Sequence, residues 1–425
     1  MNVLVIGSGG REHALCWTLS RSARIFCAPG NPGTAQLGTN LPLDPADHAS
    51  IVSAVAEHKI DLTVIGPEAP LAAGLVDSLD EAGCAAFGPK ASAAKIEGSK
   101  AFAKEIMLQA GVPTAQAAIF TDEQQALSFI ETHPEPLVVK ASGLAAGKGA
   151  IVCQSRSAAE TAARQMFAGK FGSAGERVLV EECLEGEELS VLALTDGEQI
   201  MLLPSSQDHK RLGEGDTGPN TGGMGAYTPV SPATPEMLAR VSGEVIRPVL
   251  RHLANLGAPY RGVLYAGIMI TAAGDPKVLE FNCRFGDPEA QAVLPTADGS
   301  LLEHMWQIAS GDPWHPTRDS DAPTRAAVTT VLASPGYPDA PATGKVISIP
   351  VELPEETLLF HAGTRLDRSG NLLSAGGRVL CATGLGADVP EAAERSRELA
   401  QAVDFEGKVY RRDIAWREVA RAGAA

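Results

Sequence analysis

The first hundred residues repeat one unit. A short apolar run, Val3-Leu4-Val5-Ile6, breaks at Gly7 and gives way to a helical pattern over residues 13–20. The unit recurs. Ile25-Phe26-Cys27 runs into Pro29-Gly30-Asn31-Pro32-Gly33, Leu62-Thr63-Val64-Ile65 into Gly66-Pro67-Glu68, and Ala85-Ala86-Phe87 into Gly88-Pro89. Helical patterns over residues 49–57 and 71–82 lie between them. Short apolar strands alternating with helices predict a parallel sheet with crossover helices, since parallel neighbours cannot be joined by a tight turn. Ligands of such sheets bind at the carboxyl ends of the strands, where these Gly/Pro loops stand.

The first loop, Gly7-Ser8-Gly9-Gly10-Arg11-Glu12-His13, approaches a dinucleotide fingerprint and then departs from it. Glu12 occupies the third glycine position, and no acidic residue ends the second strand. A phosphate held by backbone N–H groups at the helix N-terminus, with Arg11 beside it, remains open. A glycine turn that only packs helix on strand stays open as the alternative.

A chain of 425 residues implies two to four domains. The net charge of −16 argues against nucleic acid or an anionic membrane as partner. Seven scattered cysteines without Cys-x-x-Cys spacing read as reduced thiols of a cytoplasmic protein. No apolar run reaches membrane-spanning length, and the opening strand lacks the basic region of a signal peptide.

Chemistry concentrates in Val278–Gln291, VLEFNCRFGDPEAQ. Alternation predicts Leu279, Phe281, Cys283 and Phe285 on one strand face and Glu280, Asn282 and Arg284 on the other. A carboxylate and an amide oxygen two residues apart can share one Mg²⁺, so Glu280 and Asn282 are candidate metal ligands. Arg284 can clamp a carboxylate or phosphate. Gly286-Asp287-Pro288 ends the strand. A hairpin is expected from residues 261–271 and 277–285.

Upstream, Leu137-Val138-Val139-Lys140 is a strand ending in a lysine before Gly143-Leu-Ala-Ala-Gly147-Lys148-Gly149. This is not a Walker loop, yet its glycines let backbone approach phosphates. Lys140 therefore reads as a phosphate ligand. Val178-Leu179-Val180 runs into the acidic stretch Glu181–Glu188, a nucleotide hinge or a solvated loop on its residues alone. Residues 207–227 are polar and glycine-rich, as a lid over a substrate would be. A Pro/Asp-rich linker follows at 312–324. Beyond it, strands are expected at 327–333, 344–349, 358–362 and 378–382, with a helix over 390–403 and a frayed end from Arg421.

Glu-Phe-Asn-Cys-Arg-Phe-Gly-Asp-Pro-Glu closely resembles the metal-binding strand of the phosphoribosylamine–glycine ligase (glycinamide ribonucleotide synthetase) family of the ATP-grasp superfamily. Thr217-Gly-Pro-Asn-Thr-Gly-Gly-Met-Gly225 and Tyr410-Arg-Arg-Asp-Ile-Ala415 extend the resemblance, with Ala415 standing where Gly is common in the family. The resemblance implies α/β and α+β domains: a Rossmann-like substrate domain at 1–100, an ATP-grasp domain at 101–320 with a mobile flap near 118–188, and an α+β domain at 325–425. It implies ATP and Mg²⁺ (or Mn²⁺) as cofactors and glycine and 5-phosphoribosylamine as substrates. They are joined through a glycyl phosphate in purine biosynthesis by a cytoplasmic monomer. Another ATP-grasp carboxylate–amine ligase is the alternative. By resemblance Lys104, Lys140 and Gly147 contact nucleotide phosphates, Glu181, Glu182 and Leu184 the adenine, and Glu187 the ribose. Gly9, Gly10, Arg11, Asn31, Gly33, Glu68, Asp208, Gly223, Arg284 and Pro288 face the other substrates. Asp208, Arg284 and Lys140 are expected to be catalytic.

Overall fold

The computed structural model describes residues 1–145, 149–297, 299–316 and 325–424. Strands Asn2–Gly7, Arg24–Pro29, Gly38–Asn40, Leu62–Ile65 and Ala86–Phe87 form the expected parallel sheet, with Asn2–Gly7 at its centre. The edge strand Gly38–Asn40 was not anticipated, because three polar or glycine residues carry no strand pattern. The helix expected over 71–82 is two helices, Glu68–Ala72 and Leu75–Glu81. Gly74, at φ 87°, divides them in a left-handed conformation.

Two antiparallel sheets follow. Ala117–Phe120, Val178–Glu182, Leu137–Ala141 and Ala150–Cys153 form one. Its apolar cluster of Leu127, Ile130, Val139, Met166 and Val180 is separate from the main core. The second sheet, Ile200–Leu202, Gly186–Thr195, Gly262–Thr271 and Pro276–Asn282, shares a core with the parallel sheet. Val278 and Phe281 pack in the same cluster as Leu4, Ile6 and Ile106.

The predicted alternation along the last strand is interrupted. Gly267 pairs with Glu280 and Ile268 with Val278, so Leu279 is a bulge. Val278 and Phe281 are buried, whereas Leu279 turns to the cavity that Glu280 and Asn282 line. The hairpin is also shorter than expected, since the strand ends at Asn282.

The polar stretch 207–227 is ordered pairing, not a bare loop. Arg211–Gly213 pairs with Thr217–Asn220, and Gln207–Asp208 with Gly225–Thr228. Gly225–Thr228 then joins Ala326–Ala333, Arg378–Gly386 and Thr357–His361, so one sheet spans two expected domains. Helix Val389–Ala402 packs on it. The strand expected at 344–349 is reduced to two isolated bridges, Val346 to Leu373 and Ser348 to Asp404. The end does not fray from Arg421: helix Trp416–Ala424 includes it, and Arg421 binds Glu187 and Glu418. Most of the 312–324 linker lies outside the described residues.

Candidate active site

A cavity of about 410 Å³ opens where the sheets converge. Arg11 and Glu68 stand in the first turns of helices Gly10–Leu19 and Glu68–Ala72, which follow strands of the parallel sheet, Lys100 and Lys104 come from helix Lys100–Gln109, and Lys140 and Glu181 from the separate small sheet. The bulged strand contributes Glu280 and Asn282, followed by Arg284, and Arg378 reaches in from the last sheet.

Glu181 joins the two lysines. Its Oε1 lies 3.1 Å from Lys104 Nζ and its Oε2 2.7 Å from Lys140 Nζ. Burial alone would raise its pKa, but Lys140 and Lys104 together hold it below the usual carboxylate range. Lys104 also donates to Thr114 Oγ1 at 2.8 Å and to the Ala115 oxygen at 3.0 Å. Lys100 is different. Its ammonium makes no hydrogen bond or ion pair among the described residues, and burial lowers its pKa while Glu280 opposes the shift. It is a cavity cation that sequence reasoning missed, because Lys100 opens a helix and reads as a surface residue.

Glu280 and Asn282 both line the cavity, and neither side chain makes a hydrogen bond or ion pair among the described residues. Burial would raise the pKa of Glu280, yet Lys210, Lys100, Lys140 and Arg284 hold it ionised and low. An uncommitted carboxylate beside an uncommitted amide fits a hard divalent cation completed by phosphate oxygens. Among the described residues no three His, Cys, Asp or Glu side chains form a self-sufficient metal cage.

Arg284 is pinned by Glu97 Oε1 at 2.8 Å and Glu68 Oε2 at 3.3 Å. Despite its burial, these carboxylates raise its pKa further. Glu97 also accepts the Cys283 N–H at 2.7 Å, so it fixes the strand end as well as the guanidinium. Nothing in its sequence context singled out Glu97. Asp208 pairs with Lys210 at 2.8 Å, and Lys210 pairs with Glu188 at 2.5 Å. Burial pushes the Asp208 pKa up to about 6, with Lys210 opposing and Glu289 and Glu188 reinforcing the rise.

The substrate-side loops are more committed than expected. The Gly9 N–H donates to Glu12 Oε2 at 2.6 Å, and Arg11 Nε donates to Glu12 Oε1 at 2.6 Å. The non-glycine at the third fingerprint position therefore caps its own helix and occupies part of the expected phosphate cradle. A Cβ at residue 66 would lie 2.2 Å from Glu12 Oε1, which accounts for Gly66 at the neighbouring strand end. The Asn31 amide is fully spent: it accepts from the Gly33 and Thr34 N–H groups and donates to the Ser8 and His361 oxygens. Gly33 packs against His13 and His361, and Gly10 against Gln291 and Cys381. Gly223, at φ 109°, lies against Pro288, and Arg378 donates to the Gly222 and Asp287 oxygens at 2.6 and 2.7 Å.

The hinge residues Glu182, Leu184 and Glu187 are outside the cavity lining. Glu182 binds the Gln116 N–H at 3.0 Å and Lys277 at 3.3 Å, and Glu187 pairs with Arg421 at 2.5 Å. Gly147 lies outside the described residues.

Three family models match the chain. They are described as the N domain of phosphoribosylglycinamide synthetase over residues 1–97, its ATP-grasp (A) domain over 98–290 and its C domain over 327–417. A phosphoribosylamine–glycine ligase of Vibrio vulnificus is 48% identical over 428 residues, covering 99% of each chain. The crystal structure of a phosphoribosylamine–glycine ligase from Thermotoga maritima superposes with a TM-score of 0.84 at 36% identity, covering 97% of this chain and 100% of that one. A biotin carboxylase from Campylobacter jejuni shares the fold alone, with a TM-score of 0.72 at 14% identity over 96% of this chain and 92% of that one.

Proposed function

The chain belongs to the phosphoribosylglycinamide synthetase family, and from that premise we propose that its cavity ligates glycine to 5-phosphoribosylamine at the expense of ATP. The reaction gives the ribosyl glycinamide, ADP and phosphate and belongs to purine biosynthesis. One observation carries the reading. A single cavity gathers Arg11 and Glu68, then Lys100, Lys104, Lys140, Glu280, Asn282 and Arg284, then Arg378, drawn from all three matched segments.

A glycine carboxylate is a poor acceptor because its leaving group would be oxide. Transfer of the γ-phosphoryl group to a carboxylate oxygen gives glycyl phosphate and ADP. The ribosyl amine then attacks the acyl carbon, the C–O bond to phosphate breaks, and the amine proton leaves. Lys104 and Lys140 neutralise nucleotide phosphates, with Glu181 holding both ammonium groups in place beforehand. The family resemblance gives the adenine contact to Glu182 and Leu184 and the ribose contact to Glu187; all three stand outside the cavity lining, so these contacts need the hinge to shift and the Glu187–Arg421 pair to open. Glu280 and Asn282 would hold Mg²⁺, which when bound lowers the charge on the phosphates. Arg284 orients the glycine carboxylate, rigidly because Glu68 and Glu97 fix its plane. Asp208 receives the amine proton, and Lys210 steers its carboxylate. Asn31 frames the loop of Gly9, Gly10, Arg11 and Gly33, while Gly223 and Pro288 close the opposite wall.

We place the functional units at 1–100, 101–320 and 325–425. The separate core of the small sheet supports a flap near 118–188 that moves over the nucleotide. All seven cysteines are free thiols, which supports a reducing cytoplasm, and we take the active form to be a monomer. Among the described residues no helix is long and apolar enough to cross a membrane. The test is ADP release with glycine and phosphoribosylamine supplied singly and together. Release that needs both supports the ligase. Release coupled to a different carboxylate would move the chain to another ATP-grasp reaction.

A further inference from the structure

Two polar motifs far apart in sequence meet behind the cavity. In the run Gln207–Arg211, Asp208 and Lys210 line the cavity. His209, between them, points the opposite way and is 1% exposed. Its Nε2 accepts the N–H of Ala415 at 2.9 Å. That bond assigns the ring proton to Nδ1, which faces Asp216 Oδ1 at 3.6 Å. Its backbone is fixed too: the His209 N–H donates to Gly225 and its oxygen accepts from Met224, at 2.8 and 2.7 Å.

The socket around His209 is built by the end of the chain. Arg411 is 1% exposed and donates to Asp216 at 2.8 Å, to both Asp413 oxygens at 2.8 Å and to the Arg211 oxygen at 3.1 Å. Arg417 takes the other Asp216 oxygen at 2.8 Å. The Gly215 N–H returns to Asp413 at 2.8 Å. Ala415 stands at φ 66°, a left-handed conformation that residues with a Cβ rarely adopt. That conformation is retained where its N–H meets His209. None of these groups touches the cavity, yet together they fix the backbone from which Asp208 and Lys210 project.

We propose that His209 is a positioning residue for the Asp208–Lys210 pair, and that Arg411–Arg417 is the element against which it is set. Cutting the His209–Ala415 bond lets residues 208–210 shift by a fraction of an ångström. The carboxylate then loses its line to the amine while the nucleotide lysines, on other elements, stay in place. The inference rests on the ligase reading, because it assigns Asp208 a proton to accept.

The experiment compares His209→Leu, which removes the acceptor, with His209→Gln, whose amide oxygen can accept the Ala415 N–H. The full-length protein is assayed with ATP, glycine and phosphoribosylamine. His209→Leu is expected to lose between about tenfold and a hundredfold in kcat with KM for ATP unchanged. His209→Gln is expected to recover most of that loss at a similar melting temperature. Wild-type kcat in the Leu variant, or no recovery in the Gln variant, overturns the proposal. If the Leu protein fails to fold, Arg411→Met and Arg411→Lys are compared at temperatures where both are folded. Lys keeps a charge for Asp216, so equal kcat in the two overturns the proposal, and a lower kcat in Met supports it. Failure of the ligase reading shows differently, as wild-type protein without coupled ADP release.

Discussion

Lys140 reaches out of its own sheet to donate its Nζ proton to the backbone oxygen of Leu279 at 3.1 Å. That oxygen is available because Leu279 is the bulge of the neighbouring strand. The bond ties the small flap sheet to the strand that presents Glu280 and Asn282. Lys140 thus links the part proposed to move to the part proposed to hold the metal.

Lys140→Met should remove a charge-assisted contact worth roughly 1.5–3 kcal/mol. That corresponds to about ten- to hundredfold in KM for ATP or in kcat. Met keeps the length of the stem and Lys104 still pairs with Glu181, but the lost ion pair should lower the melting temperature, so the assay is run where the variant is folded. Steady-state ATP kinetics on the folded variant are the check, and unchanged values would return Lys140 to a structural role beside Glu181.

Glu280→Gln retains shape and one oxygen but loses the negative charge that a divalent cation needs. Because groups that merely orient metal ligands cost about 10–100-fold in affinity when lost, a ligand itself should cost at least about tenfold. The variant should need more Mg²⁺ for half-maximal turnover. A titration of Mg²⁺ at fixed ATP measures it, and a wild-type requirement would remove Glu280 from the metal site.

The parallel sheet and the strand that carries Glu280 and Asn282 were legible because their signals are local. Strands such as Leu62–Ile65 are fully buried and end in glycine, and Glu280 and Asn282 are two residues apart on one strand. Glu97, Lys100 and Arg378 were not legible. Their roles come from contacts such as Glu97 with Cys283, 186 residues away, and Arg378 with Gly222, 156 residues away. The bulge at Leu279 was invisible for a related reason: it depends on the partner strand, which supplies no extra residue opposite it. Glu187 pairs with Arg421, a contact across 234 residues to a segment that was read as a frayed end.

Acid should destabilise the protein through His13 and His361. His13 is lowered to about 3 by burial and by His361, and His361 to about 4 by burial. The unfolded chain protonates both near 6.5. Below that pH the unfolded state binds protons the folded state refuses, so stability is full above about pH 6.5 and falls as pH drops toward the folded values. Asp208 opposes this in part, because its raised pKa lets the folded state bind a proton between about pH 4 and 6. The comparison is therefore wild type against His361→Gln, with melting temperatures from pH 8 to 5. The variant should lose less on acidification, and parallel curves would refute the assignment.

Asp208 makes the sharpest kinetic prediction. A base must be ionised to accept the amine proton, and burial lifts Asp208 to about pH 6. The pH profile of kcat/KM should therefore fall about tenfold per pH unit below about 6 and level off above it. Asp208→Asn keeps the shape, cannot accept the proton, and should lose on the order of a hundredfold or more in kcat. Lys210 supplies the discriminating variant. Its ammonium, 2.8 Å from Asp208, favours the ionised carboxylate against burial, Glu289 and Glu188. Removing it in Lys210→Met should raise the Asp208 pKa further and move the acid limb to higher pH. A base elsewhere in the cavity would leave that limb where it was. A shift to lower pH would require Lys210 to disfavour the charge of its own partner, and neither result is compatible with Asp208 as the proton acceptor.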